Sequence, residues 1–357
     1  MSNVIRLTLP TRRQSRQDRL ATLVESFAFH RRNEGDVFWL KENAELLNIL
    51  EATGEQPDLA ALAPHQPFYA DVEGRLAFFP QYYRFILSIC LDLEDLGLPG
   101  TKGAALVDWA AREGLVHGEL SDLQRAEARR LMLRRGVDPL PQHTGLDARL
   151  RDFIGRPTTF AVPNRKAAYE LTHIVFYLSD YGRRDPGLSA AALTSLEFAG
   201  ILAFLDQNAD LLAEICIALR YAGQIPSPIW EGWLARRTRS FAMHGGPQVD
   251  VADDYHEYFV CNWALALSGR AAFDTGLPGG RMTLRRAARP GPLRMISECL
   301  YRLGGRRRDD WQVMRPLIAA DLDAEGHHIL TTAEQSSDRF AAFFAEFARA
   351  RACGMAR

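Results

Sequence analysis

The sequence predicts an all-α fold, a helical bundle. Apolar residues recur at helical spacing through nearly the whole chain, many of these runs open on a capping residue or stop at glycine, and no run alternates as a half-buried strand does. The 357 residues are 47% hydrophobic and 24% charged. Those are ordinary globular values, in a chain long enough to bury roughly three quarters of its unfolded surface.

Taken in order, the spacing predicts helices over 19–32 and 37–54, the second stopping at Gly54. A strongly apolar helix follows over 78–97, then one over 103–114. Residues 121–136 open with Ser121 and Gln124 at capping-box spacing and close on arginines and Gly136, as the helix dipole prefers. "GVDPLPQHTG" (136–145) and "GRPTTFAVPN" (155–164) are rich in turn residues, with a short helix "LDARLRDFI" between them. If there is a boundary it falls there, giving regions 1–155 and 156–357; the alternative is one continuous domain. Asn164 then caps a helix read as far as Tyr181, with Gly182 as its stop. Further helices are expected over 189–207, 209–223 and 227–241, the last with Ser227 as cap and Pro228 at its first position. A glycine turn (244–248) leads to a helix over 253–269, and 279–292 reads as a basic loop. The tail holds helices over 293–305 and 309–322, a polar loop with "GHH" (326–328), and a closing amphipathic helix within 332–352.

Net charge is −1 with a pI near 6.8, so nothing global draws the chain to nucleic acid or an anionic membrane. Lys41, Lys102 and Lys166 are the only lysines; the arginine-rich remainder is scattered, as a coding bias would leave it. Cys90, Cys216, Cys261, Cys299 and Cys353 form no CxxC pair, so neither a disulfide framework nor a zinc ribbon is expected. Reduced thiols, an amino terminus without a leader-like apolar core and no apolar run of 18 residues point to a soluble, cytoplasmic protein. No GxGxxG, P-loop, GxSxG or HExxH occurs.

Two stretches combine polar groups with apolar helices. In "ELTHIVFYLSDYG" (170–182), His173 and Asp180 are two turns apart on one face, with Tyr177 beside them. About 10 Å of helix axis separates them, too far for a direct bond, so they would act on opposite ends of a ligand. Alternatively His173 is a core histidine bonded to a neighbouring hydroxyl or carbonyl. In "DDYHEYFVCNWAL" (253–265), His256 and Trp263 share one face, Asp254 and Tyr258 another, Asp253 and Glu257 a third. Asp253, Asp254, His256 and Glu257 are of the types that hold a divalent metal, although acidic first-turn residues also complement the helix dipole.

Across 165–270, helix follows helix, a tryptophan-bearing helix "WEGWLARR" precedes a glycine turn, and "YH" heads the next apolar helix. This rhythm resembles the α/α-toroid superfamily of terpenoid cyclases and protein prenyltransferases. The resemblance implies toroid-like α/α helix pairs around a central cavity. It transfers no catalytic role: "DVADD" (250–254) has one residue more than the acidic signature of the protonating cyclases, and their glutamine–tryptophan repeats are absent. "DDYHE" (253–257) fits the DDxxE pattern of metal-dependent terpene synthases, but it comes late and without a second metal motif.

With such a cavity, His173, Asp180, Asp254 and His256 form the candidate catalytic set, and Tyr177, Trp230, Tyr258 and Trp263 the candidate substrate wall. No motif requires a cofactor, and a divalent metal is compatible with the residues. Two functions follow: an enzyme acting on a small apolar or modified-peptide substrate, or a helical scaffold that binds a partner protein.

Overall fold

The computed structural model describes residues 14–350 except Ala288. The amino-terminal stretch 1–13, read above for a leader, and Cys353 lie outside the described residues.

The helices that shape the molecule are α1 (Arg16–Glu25), α2 (Val37–Ala52), α3 (Tyr83–Asp95), α4 (Asp122–Leu133), α5 (Arg165–Leu178), α6 (Ala190–Leu205), α7 (Ala209–Tyr221), α8 (Pro228–Thr238) and α9 (Tyr255–Leu267). Several starts are set by side chains that accept from otherwise unpaired first-turn amides, whereas Ser227, expected to cap α8, stands at the N-cap position without such a bond. Asp36 caps α2, Ser121 caps α4, Asn164 caps α5, Ser189 caps α6 and Asn208 caps α7. The helix beginning at α1 passes into a π-turn over Ser26–His30, and "LDARLRDFI" is helical over Leu146–Ile154.

Six of these helices contact one another in a cycle: α2 on α3, α3 on α4, α4 on α5, α5 on α7, α7 on α9, and α9 back on α2. The ring draws on residues from both sides of the 136–164 turns. α6 and α8 pack outside it, against α7. On that outer layer Trp230 of α8 packs against Gly200 of α6, where a β-carbon would come within 2.5 Å of the indole. One buried hydrophobic cluster runs through all of these elements.

The structure corrects the sequence reading in three places. Ala242–Gly245 (β1) and Met282–Arg285 (β2) pair antiparallel, Ala242 opposite Arg285 and Gly245 opposite Met282. The glycine turn expected over 244–248 overlaps the end of β1 and the basic loop expected over 279–292 contains β2, because four residues are too few to display alternation clearly. "GHH" belongs to a helix, Ala324–Ser336, capped by Asp323. Finally, α5 ends at Leu178, and Asp180 and Tyr181 both have left-handed backbone, with φ of 47° and 53°. Asp180 is therefore off the helix, and the seven-residue stripe it was to share with His173 does not exist.

The β-pair fixes the start of α9. Asp254 N–H donates to Leu284 O at 2.9 Å, and Asp254 Oδ2 accepts from Arg286 N–H at 2.9 Å. Asp253 accepts from Leu284 N–H at 2.7 Å and pairs with the fully buried Arg31 guanidinium at 2.8 and 2.9 Å. Arg31 also reaches Glu42 at 2.9 Å and the carbonyls of Met282 and Val251.

Beside this network, Asn43 donates to the carbonyls of Phe27 and Trp39, so its oxygen faces the buried His65 Nε2 at 2.8 Å. That geometry makes His65 a neutral Nε2–H donor, and Nδ1 has no partner. Burial pushes its pKa down to about 4. Because the folded pKa lies below the unfolded one, the unfolded chain takes up the proton first as pH falls. Stability attributable to His65 is full above pH 6.5 and declines by roughly 3 kcal/mol towards pH 4. Urea unfolding of His65→Gln across this window is expected to show that much less acid loss than the parent. Parallel curves would refute it.

Candidate functional site

A cavity of about 360 Å³ opens inside the six-helix ring. Its wall combines apolar and aromatic groups, Phe176, Tyr177, Tyr181, Val260 and Trp263, with charged or ionisable ones, Glu45, Glu127, Arg84, Arg130, His173, Glu214 and His256. The His173 and His256 side chains are 38% and 36% exposed, so solvent reaches them through the cavity.

Four helices place the charged centre. Asp210 and Glu214 are four residues apart on α7, hence on one face. His256 comes from the first turn of α9, His173 from the middle of α5, and Glu45 from α2. His256 Nε2 lies 3.4 Å from Asp210 Oδ1 and 3.6 Å from Glu214 Oε1, while its Nδ1 faces Glu45 Oε2 at 3.5 Å. His173 Nε2 is 3.6 Å from Glu214 Oε2.

The other oxygen of each α7 carboxylate is anchored. Tyr169 donates its hydroxyl to Asp210 Oδ2 at 2.6 Å, and Thr172 donates to Glu214 Oε2 at 2.5 Å. The remaining oxygens are thereby turned towards His256 Nε2. Asp210 Oδ1, Glu45 Oε2 and His256 Nδ1 are buried and make no hydrogen bond in this arrangement. Asp210, Glu214 and His256 together offer three donor atoms within 4.8 Å of one another, the set among the described residues that could hold a metal ion.

The electrostatics follow from burying five titratable groups together. Burial drives the Asp210 carboxyl up to about 6, with Glu214 adding to the push and His256 partly opposing it. Burial would raise Glu214 as well, but His173 and His256 outweigh it and hold the carboxyl down at about 2. Burial works against the charged form of both imidazoles, and the facing carboxylates overcome it, so both are raised, His256 well above its ordinary range.

Among the candidate residues, His173, His256, Tyr177 and Trp263 meet at this cavity. Asp180 sits behind its wall, accepting from Arg130 Nε at 2.8 Å. Asp254 is spent on the β2 backbone. Trp230 is buried against Gly200, and Tyr258 lies among Phe241, Phe259 and Phe273; neither lines the cavity. Sequence reasoning missed Glu45, Asp210 and Glu214. The available signal was Glu214, a lone acid in the apolar run "EICIAL", preceded four residues earlier by Asp210.

A second cavity, about 310 Å³, lies by Phe160, Ala199, Leu202 and Leu293. Its charged groups include Arg165 and Asp206, which pair with each other at 3.1 Å, and no cluster of acids and imidazoles faces it.

Residues 1–350 match the family described as "Domain of unknown function (DUF6902)". The chain belongs to that family. No curated protein and no solved structure matches it, so the toroid resemblance rests on helix rhythm alone. Among the described residues of this DUF6902 chain, no helix is long and apolar enough to cross a membrane.

Proposed function

We propose that the ring cavity is the active site of a metal-dependent enzyme acting on a small, partly apolar substrate. Asp210, Glu214 and His256 hold a divalent cation, and His173 stands beside it as the group that gives or takes a proton. Tyr177 and Trp263 form the apolar wall of the substrate site. The observation that carries this reading is the pairing of roles on the two carboxylates: one oxygen held by a neighbouring hydroxyl, the other turned towards His256 Nε2. Tyr169 holds Asp210, Thr172 holds Glu214 and Glu45 faces the distal nitrogen of His256, the usual arrangement around metal-bound imidazole and carboxylate.

The spacing fits. Two donors each about 2.1 Å from a tetrahedral ion lie about 3.4 Å apart, and the His256 nitrogen is 3.4 and 3.6 Å from its two carboxylate oxygens. Two carboxylates and one imidazole suit Zn²⁺, Mn²⁺ or Fe²⁺ better than Ca²⁺. Three protein ligands leave coordination positions for substrate, as catalytic sites do. Such an ion acts as a Lewis acid on a substrate oxygen. The chain's own residues orient the substrate along Phe176, Tyr177 and Trp263 and hold the proton at His173 Nε2. The cavity takes walls from α2, α3 and α4 as well as α5, α7 and α9, which supports treating 1–155 and 156–357 as one working unit. Cys90, Cys216, Cys261 and Cys299 are free and buried, in keeping with a reducing compartment such as the cytoplasm.

The test is metal content. Protein stripped with chelator and then exposed to Zn²⁺ or Mn²⁺ is expected to retain one ion per chain through gel filtration, measured by mass spectrometry of the metal. At free ion a hundred times Kd, its unfolding free energy should rise by about 2.7 kcal/mol. If no ion is retained and stability is unmoved, the centre is a buried ion-pair network and the scaffold reading takes its place.

A further inference from the structure

Arg130 of α4 is 4% exposed at its side chain, yet most of its donors are idle. Its guanidinium offers five N–H groups. Nε donates to Asp180 Oδ1 at 2.8 Å, and this is its only hydrogen bond among the described residues. Both terminal nitrogens are left over, and Nη2 is completely buried without a partner. The guanidinium also lies over the Tyr181 ring, 4.2 Å from its centre, and Tyr181 stacks on Trp263 with 8° between the ring planes. Arg130, Tyr181 and Trp263 therefore form one continuous stack along the cavity wall.

A buried guanidinium missing its acceptors is costly, and such groups are normally satisfied. The other arginine of the cavity is already engaged: Arg84 pairs with Glu119 at 2.9 Å and with Glu127. Arg130 is thus the cationic group of this wall with capacity to spare, and Asp180 holds it in place by its inner edge.

We infer that Arg130 is the anchor for a carboxylate on the substrate. A terminal nitrogen donates to a carboxylate oxygen in a charge-assisted hydrogen bond. The apolar or aromatic body of the same molecule lies along Trp263, Phe176 and Tyr177, and its far end is directed to Glu214 and His256 on the same lining. One edge of Arg130 is already committed to Asp180, which leaves capacity for a single carboxylate. Asp180 is a positioning residue, two bonds removed from the ligand. The inference rests on the proposed function for the identity of the cavity as a substrate site, but the anchor is independent of the cation.

The experiment compares 3-phenylpropanoate with 3-phenylpropanamide and phenyl phosphate, using tryptophan fluorescence of the full chain with and without Zn²⁺. The parent is expected to bind the carboxylate about 10- to 100-fold more tightly than the amide, the range expected for a charge-assisted hydrogen bond. Arg130→Gln should erase that preference, Arg130→Lys should restore part of it, and Asp180→Asn should reduce it while leaving the Arg130 charge in place. Circular dichroism of each variant checks the fold. The inference is overturned if the parent binds carboxylate and amide alike, if phenyl phosphate is preferred, or if Arg130→Gln keeps the preference. A carboxylate preference that survives in protein unable to retain Zn²⁺ would remove the metal assignment and keep the anchor. Retained Zn²⁺ without the preference would do the reverse.

Discussion

Glu214→Gln weakens divalent-cation binding by at least about 100-fold, with the helical circular dichroism spectrum unchanged. The substitution keeps the shape and the oxygen that can meet Thr172 Oγ1, but removes the charge that faces both imidazoles, 3.6 Å from His256 Nε2 and 3.6 Å from His173 Nε2. Thr172→Val, which releases only the anchored oxygen, should cost less, about 10-fold, since outer partners of metal ligands are typically worth 10- to 100-fold in affinity. Competition titration against a chromogenic chelator measures both. The ranking is the sharp part: equal effects, or a larger one at Thr172, would mean that Glu214 is not a ligand. A purely structural cluster would give no chelator competition in the parent at all.

Asp253→Ala lowers the unfolding free energy by about 3–5 kcal/mol in urea denaturation. Arg31 and Asp253 are both shielded completely from solvent at their side chains, and removing one partner of a buried pair leaves the other charge uncompensated. The same change deletes the acceptor for Leu284 N–H, so β2 loses its tie to the start of α9. Glu42 still faces Arg31 at 2.9 Å, which places the expectation nearer the lower figure. The exposed Arg294–Glu298 pair, one turn apart on a surface helix, serves as control: Arg294→Ala should change stability by about 0.3–0.5 kcal/mol. A loss under about 1 kcal/mol for Asp253→Ala would show that the β-pair is held by other contacts. Because Asp253 orients the helix that carries His256, reduced cation affinity in this variant is expected to accompany the stability loss.

The two histidines were legible for a simple reason. Each stands beside an apolar and aromatic run, 174–178 for His173 and 258–261 for His256, and a polar group so placed must face either a partner or a cavity. His173 and His256 do both. Asp254 failed the same reasoning because it stands at a helix start, where a carboxylate has backbone amides to satisfy, here Arg286 N–H. Asp180 failed because a helix read to the glycine at 182 ends at Leu178, and left-handed backbone at Asp180 and Tyr181 turns the carboxylate towards Arg130. Trp230 and Tyr258 are apolar anchors on faces that point away from the cavity, a distinction that periodicity cannot make when helices are buried on most sides.

The acids were hidden by local context. Asp210 looks like any first-turn acid next to the cap Asn208, and Glu45 stands in a polar stretch, "KENAE", where nothing sets it apart. Their importance lies entirely in what they face, the His256 imidazole carried by another helix. The sequence by itself determined the helical fold, the helix starts through Asp36, Ser121, Asn164, Ser189 and Asn208, and the two imidazoles placed inside apolar helices, because these depend on spacing and capping within a few turns. Only the tertiary structure decided that α2, α5, α7 and α9 bring Glu45, His173, Asp210, Glu214 and His256 together. Contacts between residues more than forty positions apart are set by which apolar faces pack against which, and that choice leaves no local trace in the chain.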